Sequence, residues 1–250
     1  MKNTAIITGS SKGIGYGCAV VFARNGYNVV VVSRNEEEGK KAEENIAAQH
    51  GSALYIRCDV SKEDQVKALI AKTTDAFGRI DTLINNAGYH ISKNIEDTDI
   101  EEWEYIINTN LKSVFLCTKY AIPHLKKTRG SVINMSSMVG VVGQGNAAAY
   151  SSTKGGMIAI TKNLALDYAP YGITVNCIAP GWIETPLVDD WFSQQKNESK
   201  ARKYIYSVHP LGRIGTSEEV GELALFLASK NAKFITGAVV PIDGGVTLGY

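Results

Sequence analysis

Short apolar runs rich in valine and isoleucine alternate along the chain with stretches whose apolar residues recur every three to four positions. Strand length and β-branched content pick out Thr4–Ile7, Tyr27–Val32, Ala53–Arg57, Thr82–Ile84, Val132–Met135, Thr174–Ile178 and Ala238–Ile242. Helical period picks out Ile14–Arg24, Glu36–Gln49, Lys62–Phe77, Glu101–Lys127, Ala148–Tyr168 and Ser217–Ala228. Strands that are apolar on both faces, separated by helices, predict an α/β fold with a parallel sheet covered on both sides. Right-handed crossovers make that seven-stranded sheet doubly wound and place ligands at the carboxyl ends of the strands. Pro123 is expected to bend or end the fourth helical window. No repeat, linker or low-complexity tract interrupts the alternation, so residues 1–250 are expected to form one domain.

The strand ends carry the candidate chemistry. The first strand runs into Thr8-Gly9-Ser10-Ser11-Lys12-Gly13-Ile14-Gly15 and straight on into a helical pattern. Gly9 suits a tight turn, Gly13 a close approach of backbone to a pyrophosphate and Gly15 close helix packing, while the helix N-terminus favours negative charge. The spacing G-x-x-x-G-x-G departs from the G-x-G-x-x-G dinucleotide fingerprint, and a purely structural turn would also explain it. Where a dinucleotide fold presents an acid to the adenosine ribose, the second strand ends in Ser33-Arg34. A small hydroxyl and a guanidinium, with Lys12 in reach, suit a 2′-phosphate, which favours NADP(H) over NAD(H). The following Glu36-Glu37-Glu38 reads as acidic charge complementing a helix dipole. Asp59, beside Val60 at the third strand end, suits either an adenine amine or the cap of a helix near Ser61. Asn85-Asn86-Ala87-Gly88 ends the fourth strand with small residues that leave backbone exposed to a flat ligand.

Composition narrows the partners. Lys plus Arg number 26 against 25 Asp plus Glu, a net charge of +1, which argues against nucleic acid or an anionic membrane as the main partner. Cys18, Cys58, Cys117 and Cys177 lie far apart in apolar surroundings, without the paired spacing of a metal or redox site. No metal is expected. With no signal-like or membrane-length apolar run, a cytoplasmic protein is expected.

Tyr150 and Lys154, four apart, share one helix face about 6 Å apart along the axis. A nearby ammonium and a nicotinamidium would favour the phenolate. A lone Y-x-x-x-K is far more often an exposed Tyr beside a solvated Lys, so the other motifs decide. Together, Thr8-Gly-x-x-x-Gly-x-Gly15, Asn85-Asn-Ala-Gly88, Asn110, Ser137, Tyr150-x-x-x-Lys154 and Pro180-Gly-x-x-x-Thr185 resemble the short-chain dehydrogenase/reductase family over nearly the whole chain. The resemblance implies a single Rossmann-type domain for dinucleotide binding and catalysis, a homotetramer, and reversible hydride transfer between a nicotinamide and a ketone or secondary alcohol.

It further implies that Asn110 interrupts a long helix and helps hold a water near Lys154. Ser137, thirteen residues before Tyr150, would hydrogen-bond the substrate oxygen, with Ser136 pointing the opposite way. Lys154 would lower the Tyr150 pKa and hold the nicotinamide ribose, and Tyr150 would be the general acid in reduction and base in oxidation. Pro180 and Gly181 lead to Ile183 and Thr185, which would hold the nicotinamide carboxamide. Residues 187–210, charged and aromatic, would form one or two short helices covering the substrate, and the apolar tail 246–250 would meet a neighbouring subunit.

His90, Gln144, Asn146 and Trp182 suggest a polar pocket for a small, oxygen-rich molecule, although His90 is equally an ordinary loop residue. The alternative is a 3-oxoacyl-[acyl-carrier-protein] reductase. Such enzymes place arginines where this chain has Thr128 and Tyr171, with Lys126, Lys127 and Arg129 nearby. A nucleotide sensor without chemistry is the third reading, disfavoured by the retained Asn110, Ser137, Tyr150 and Lys154.

Overall fold

The structure, a computed structural model, describes residues 1–248; Gly249 and Tyr250, which end the apolar tail expected at a subunit contact, lie outside the described residues. Seven parallel strands are present: β1 Thr4–Thr8, β2 Asn28–Ser33, β3 Ala53–Arg57, β4 Thr82–Asn85, β5 Ser131–Met135, β6 Thr174–Pro180 and β7 Val239–Ile242. Their order is β3-β2-β1-β4-β5-β6-β7. The chain winds outward in opposite directions from β1 and β4, and the crevice where the direction reverses is where such sheets bind ligands. Ile6 lies opposite both Val30 and Leu83, so the central strands are aligned and their carboxyl ends finish level with one another.

Strand pleating sends alternate side chains to two cores. Ile6, Val30, Leu83 and Val132 face one side, under helices α3 (Glu63–Phe77), α5 (Ser113–Thr128) and α6 (Ala148–Tyr168). Ala5, Ile7, Val31 and Ile133 face the other, under α1 (Gly13–Arg24), α2 (Glu36–His50) and α9 (Ser217–Ala228). The four cysteines are free and buried within this framework, and desolvation pushes the Cys18 and Cys58 thiols up to about 12. They are inert core residues.

The fourth helical window does break, around Asn110 as the resemblance implies and away from the proline. Helix α4 (Ile100–Ile107) passes through a π-helical turn, Asn108–Lys112, into α5, which continues unbroken through Pro123. Pro123 lies on the exposed side, while Leu116, Cys117, Ala121, Ile122 and Leu125 bury the opposite face. That packing outweighs the backbone hydrogen bond a proline removes.

Between β6 and α9, α7 (Pro186–Ser193) and α8 (Glu198–Ser207) occupy the region expected to cover the substrate. They form their own small core of Phe192, Ile205 and Ile214, with Trp182, Val188 and Trp191 against it. Arg202 ties the two helices together, bonding Glu198 at 2.8 Å and Asp189 at 3.2 Å with its guanidinium 4.2 Å over the Phe192 ring. Among the described residues no helix is long and apolar enough to cross a membrane.

Candidate active site

The glycine turn and the end of β4 are built as one unit. Thr8 Oγ1 accepts from the Asn86 and Ala87 backbone N–H groups at 2.9 and 3.0 Å, and Asn86 Nδ2 donates to the Thr8 and Gly9 carbonyls at 2.9 and 3.0 Å. Gly9 has φ of +65°, a conformation that side chains resist, and a Cβ there would also lie 2.8 Å from Ala87 Cα. At Gly15 a Cβ would lie 2.4 Å from the Gly9 carbonyl oxygen and 2.5 Å from Asn86 Nδ2. Any side chain at position 15 would therefore force apart the two strand ends that shape the turn.

A cleft of ≈ 540 Å³ runs across the strand ends. Gly9, Ser11, Gly13 and Ile14 line its middle, facing Asn86, Ala87 and Gly88 across it. On the β2 and β3 side stand Lys12, Ser33, Arg34, Asp59 and Val60, on the β5 side Tyr150, Lys154 and His90, and Thr185 lies against Gly13. The glycine turn at the start of α1 and the cleft across the strand ends fit a nicotinamide dinucleotide. Gly15, Asn110, Ser137, Pro180, Gly181, Ile183, Gln144, Asn146 and Trp182 lie outside the cleft lining. Gly15 acts from beneath the turn. Gly181 packs against Asp243, Ile183 is buried beside Gly215, and Trp182 stands 4.9 Å from Trp191 in the small helical core. Gln144 and Asn146 sit in an exposed loop before α6, Asn146 with φ of +55°.

Asp59 does not cap a helix: α3 begins at Glu63, and Asp59 Oδ1 instead accepts from the Ser61 N–H at 3.0 Å and hydroxyl at 2.7 Å. That turn places the residue in the cleft wall before the helix starts. At the β2 corner, Arg34 donates to the Tyr105 hydroxyl at 2.8 Å, and Lys12 Nζ lies 3.0 Å from Glu38 Oε1. Glu38 was not visible as a site residue, because an acid in the first turn of a helix is explained by the dipole alone.

The other end holds the titratable pair. Lys154 is buried, 4 % exposed, and among the described residues its ammonium donates to the Met135 carbonyl at 2.8 Å and, more weakly, to the Met157 sulfur at 3.9 Å. Burial brings its pKa down to about 8. The ammonium lies 5.5 Å from the centre of the half-buried Tyr150 ring. Burial pushes the Tyr150 phenol up to about 12, and the Ser137 hydroxyl opposes that shift. The lowered tyrosine pKa is expected from the ammonium together with a nicotinamidium; in the protein alone, desolvation of the phenolate dominates. Ser136 and Ser137 diverge at the end of β5: Ser136 donates into α6 at the Lys154 carbonyl, 2.8 Å away, while Ser137 stays half-buried on the Tyr150 side. His90 stands edge-on to Tyr150 with ring centres 4.7 Å apart, and burial first, then the Lys154 charge, lowers its pKa.

Asn110, fully buried in the π-helical turn, has both amide protons engaged, Nδ2 donating to the Tyr89 carbonyl at 2.9 Å and Thr153 Oγ1 at 3.1 Å. Its Oδ1 accepts from the Tyr89 N–H at 2.7 Å. The side chain therefore positions the segment after Gly88 and links it to α6 one residue before Lys154. The extra residue of a π-turn aims it there, and such turns recur at functional sites. Among the described residues no cluster could hold a metal ion.

Comparison with known proteins agrees with this geometry. The family model described as enoyl-(acyl carrier protein) reductase matches residues 9–247. An L-fucose dehydrogenase of Bos taurus is 40% identical over 98% of this chain and 89% of its own length. A 3-oxoacyl-[acyl-carrier-protein] reductase of Chlamydia muridarum is 39% identical over 98% of each chain. The crystal structure of levodione reductase superimposes with a TM-score of 0.94 at 34% identity, covering 99% of this chain and 98% of that one.

Proposed function

The chain belongs to the short-chain dehydrogenase/reductase family and is an oxidoreductase acting on CH–OH groups, and from that footing we propose how it works and on what. Its reaction is reversible hydride transfer between NADP(H) and a ketone or secondary alcohol on a small, oxygen-rich substrate. The observation that carries the catalytic reading is the buried Lys154 ammonium, held by one carbonyl at 2.8 Å and set beside Tyr150 and the cleft. A buried cation with donors to spare calls for a polar ligand, and ribose hydroxyls would meet that need.

The dinucleotide, when bound, supplies or takes up the hydride. Tyr150 and Ser137 hold the substrate oxygen and favour the charge that develops on it. With a phenol well above neutrality, Tyr150 is a proton donor to a carbonyl being reduced. Lys154 orients the ribose and, once further positive charge is near, favours the phenolate. Asn110 keeps the backbone at Tyr89 and the start of α6 in register. Thr185 and the Pro180–Ile183 segment hold the carboxamide, and residues 187–210 cover the substrate.

The oxygen-rich substrate is supported by His90 against Tyr150, by Gln144 and Asn146 on the adjoining loop, and by the similarity to an L-fucose dehydrogenase. The carrier-protein reading has its own support in the 39% identical reductase. Against it, Thr128 donates its hydroxyl to the Ile80 carbonyl, and Tyr171 lies under Lys126 at 3.6 Å, so neither position offers a free cation to an acidic partner. Homotetramer assembly fits the exposed Phe115 and Leu166 and, near β7, Phe226 and Phe234. Four free thiols fit a reducing cytoplasm.

A panel of aldoses, cyclic ketones and acyl thioesters, followed by reduced-nicotinamide absorbance, separates these readings. Turnover with a polyhydroxylated or cyclic carbonyl is expected; activity confined to acyl thioesters would replace it with the carrier-protein reading. For the cofactor, Arg34→Ala is expected to raise KM for NADPH about tenfold or more, as loss of a charged hydrogen bond does, and to change that for NADH little. Equal changes for both would remove the 2′-phosphate assignment.

A further inference from the structure

The three acids opening α2 do not act alike. Glu36 pairs along its own helix with Lys40 at 2.6 Å, the usual solvent-side arrangement. Glu38 instead turns across to the glycine turn. Its Oε1 lies 3.0 Å from Lys12 Nζ, and its Oε2 accepts from the Ser11 hydroxyl at 3.4 Å. Its backbone is fixed by the Asn35 cap, whose Oδ1 accepts from the Glu38 N–H at 3.1 Å. The carboxylate thus borders the corner of the cleft that also holds Ser33 and Arg34, and it neutralises the cation that the glycine turn brings there.

From this we infer that Glu38 is a specificity-determining residue of the dinucleotide site, a built-in anion that competes with a 2′-phosphate for Lys12 and sets how strongly the enzyme prefers the phosphorylated dinucleotide. The inference rests on the 2′-phosphate reading of Lys12 and Arg34. A phosphate at this corner must take Lys12 away from Glu38 and then sit beside that carboxylate, and both steps weaken binding. A dinucleotide with a free ribose hydroxyl does neither. Glu38 has somewhere to turn: it also borders a second cavity of ≈ 760 Å³ behind the glycine turn, and that cavity holds Lys41, one helical turn along α2. Tyr105 stands in the same relation to Arg34 through its hydroxyl at 2.8 Å, but it is uncharged and can be displaced without leaving an anion beside the phosphate.

The test is equilibrium binding by calorimetry of NADPH, NADH, and the fragment adenosine 2′,5′-bisphosphate to the wild type, Glu38→Gln and Lys12→Ala, at low and high salt. The pair is solvent-exposed, so Glu38→Gln is expected to tighten NADPH and the bisphosphate about three- to tenfold, with NADH unchanged and the gain shrinking at high salt. Lys12→Ala is expected to weaken both phosphorylated ligands. If Lys12→Ala weakens NADPH while Glu38→Gln leaves it unchanged or weaker, the 2′-phosphate reading stands and the competing role of Glu38 is overturned. If Glu38→Gln weakens NADH, the carboxylate is a ribose-hydroxyl acceptor and the inference fails. Should the wild type bind NADH more tightly and Lys12→Ala change nothing, the 2′-phosphate reading falls and takes this inference with it. Glutamine is isosteric with glutamate, and unchanged circular dichroism would show that the variant is folded.

Discussion

Tyr150→Phe is expected to lower turnover by about three orders of magnitude while leaving dinucleotide affinity within about twofold, the pattern of a lost proton-transfer group. The phenol is the group of the pair that burial keeps protonated, with its pKa up to about 12, and it faces the cleft between Ser137 and Lys154. Phenylalanine keeps the ring, and with it the edge contact to His90 and the packing against Ile91, Ile106 and Ala149. The fold and the cleft should therefore survive. On the proposed reading the dinucleotide is held elsewhere, by the glycine turn, Lys12, Arg34 and the Lys154 ammonium, which bonds to the Met135 carbonyl rather than to Tyr150. Single-turnover absorbance for the chemical step and fluorescence titration for binding separate the two effects. A variant that kept a tenth of wild-type turnover would remove Tyr150 from the proton-transfer role.

Much of the frame that presents this pair was legible in the chain because parallel strands buried on both faces leave long β-branched runs. All seven strands lie within two residues of the expected positions. The strand ends were legible for a related reason: where backbone must approach backbone, only glycine or a small residue fits, as Gly9 and Gly15 show. What escaped was the direction of side chains and the work of backbone atoms. Glu38 looked like one of three dipole acids, since spacing along a helix does not say which acid faces the glycine turn. The Met135 carbonyl that holds Lys154 has no signature at all, because every residue carries a carbonyl. The break in the fourth helical window falls in the π-turn Asn108–Lys112, where the family resemblance places it at Asn110, and not at Pro123; the extra residue of a π-turn leaves the apolar period nearly unchanged, so periodicity alone does not show it. Proximity of Tyr150 to Lys154 can be read from a four-residue spacing, but the desolvation that raises the phenol pKa in the protein alone cannot.

Lys154→Met should lose turnover as Tyr150→Phe does, by about two to three orders of magnitude, and unlike it should also weaken dinucleotide binding, because on the proposed reading the same ammonium serves both. It makes a second, independent signature in stability. Burial holds the folded-state pKa of Lys154 at about 8 against an ordinary 10.5, so between those values the unfolded chain binds the proton that the folded chain has released. Stability then rises with pH across that window, the sign set by the excess of protons on the unfolded state. At 4 % exposure, solvent screening of the site is slight. From pH 8 to 10.5 the wild type is expected to gain about 3 kcal/mol relative to Lys154→Met. Tyr150, raised from 10 to about 12, pulls the opposite way above pH 10, but both proteins carry it and it cancels in the difference. Denaturant melts of the two proteins in parallel, at half-unit intervals from pH 7 to 10.5, measure that difference. A flat difference would mean that the ammonium is hydrated in solution, and the buried cation that makes this cleft call for a ribose would not exist.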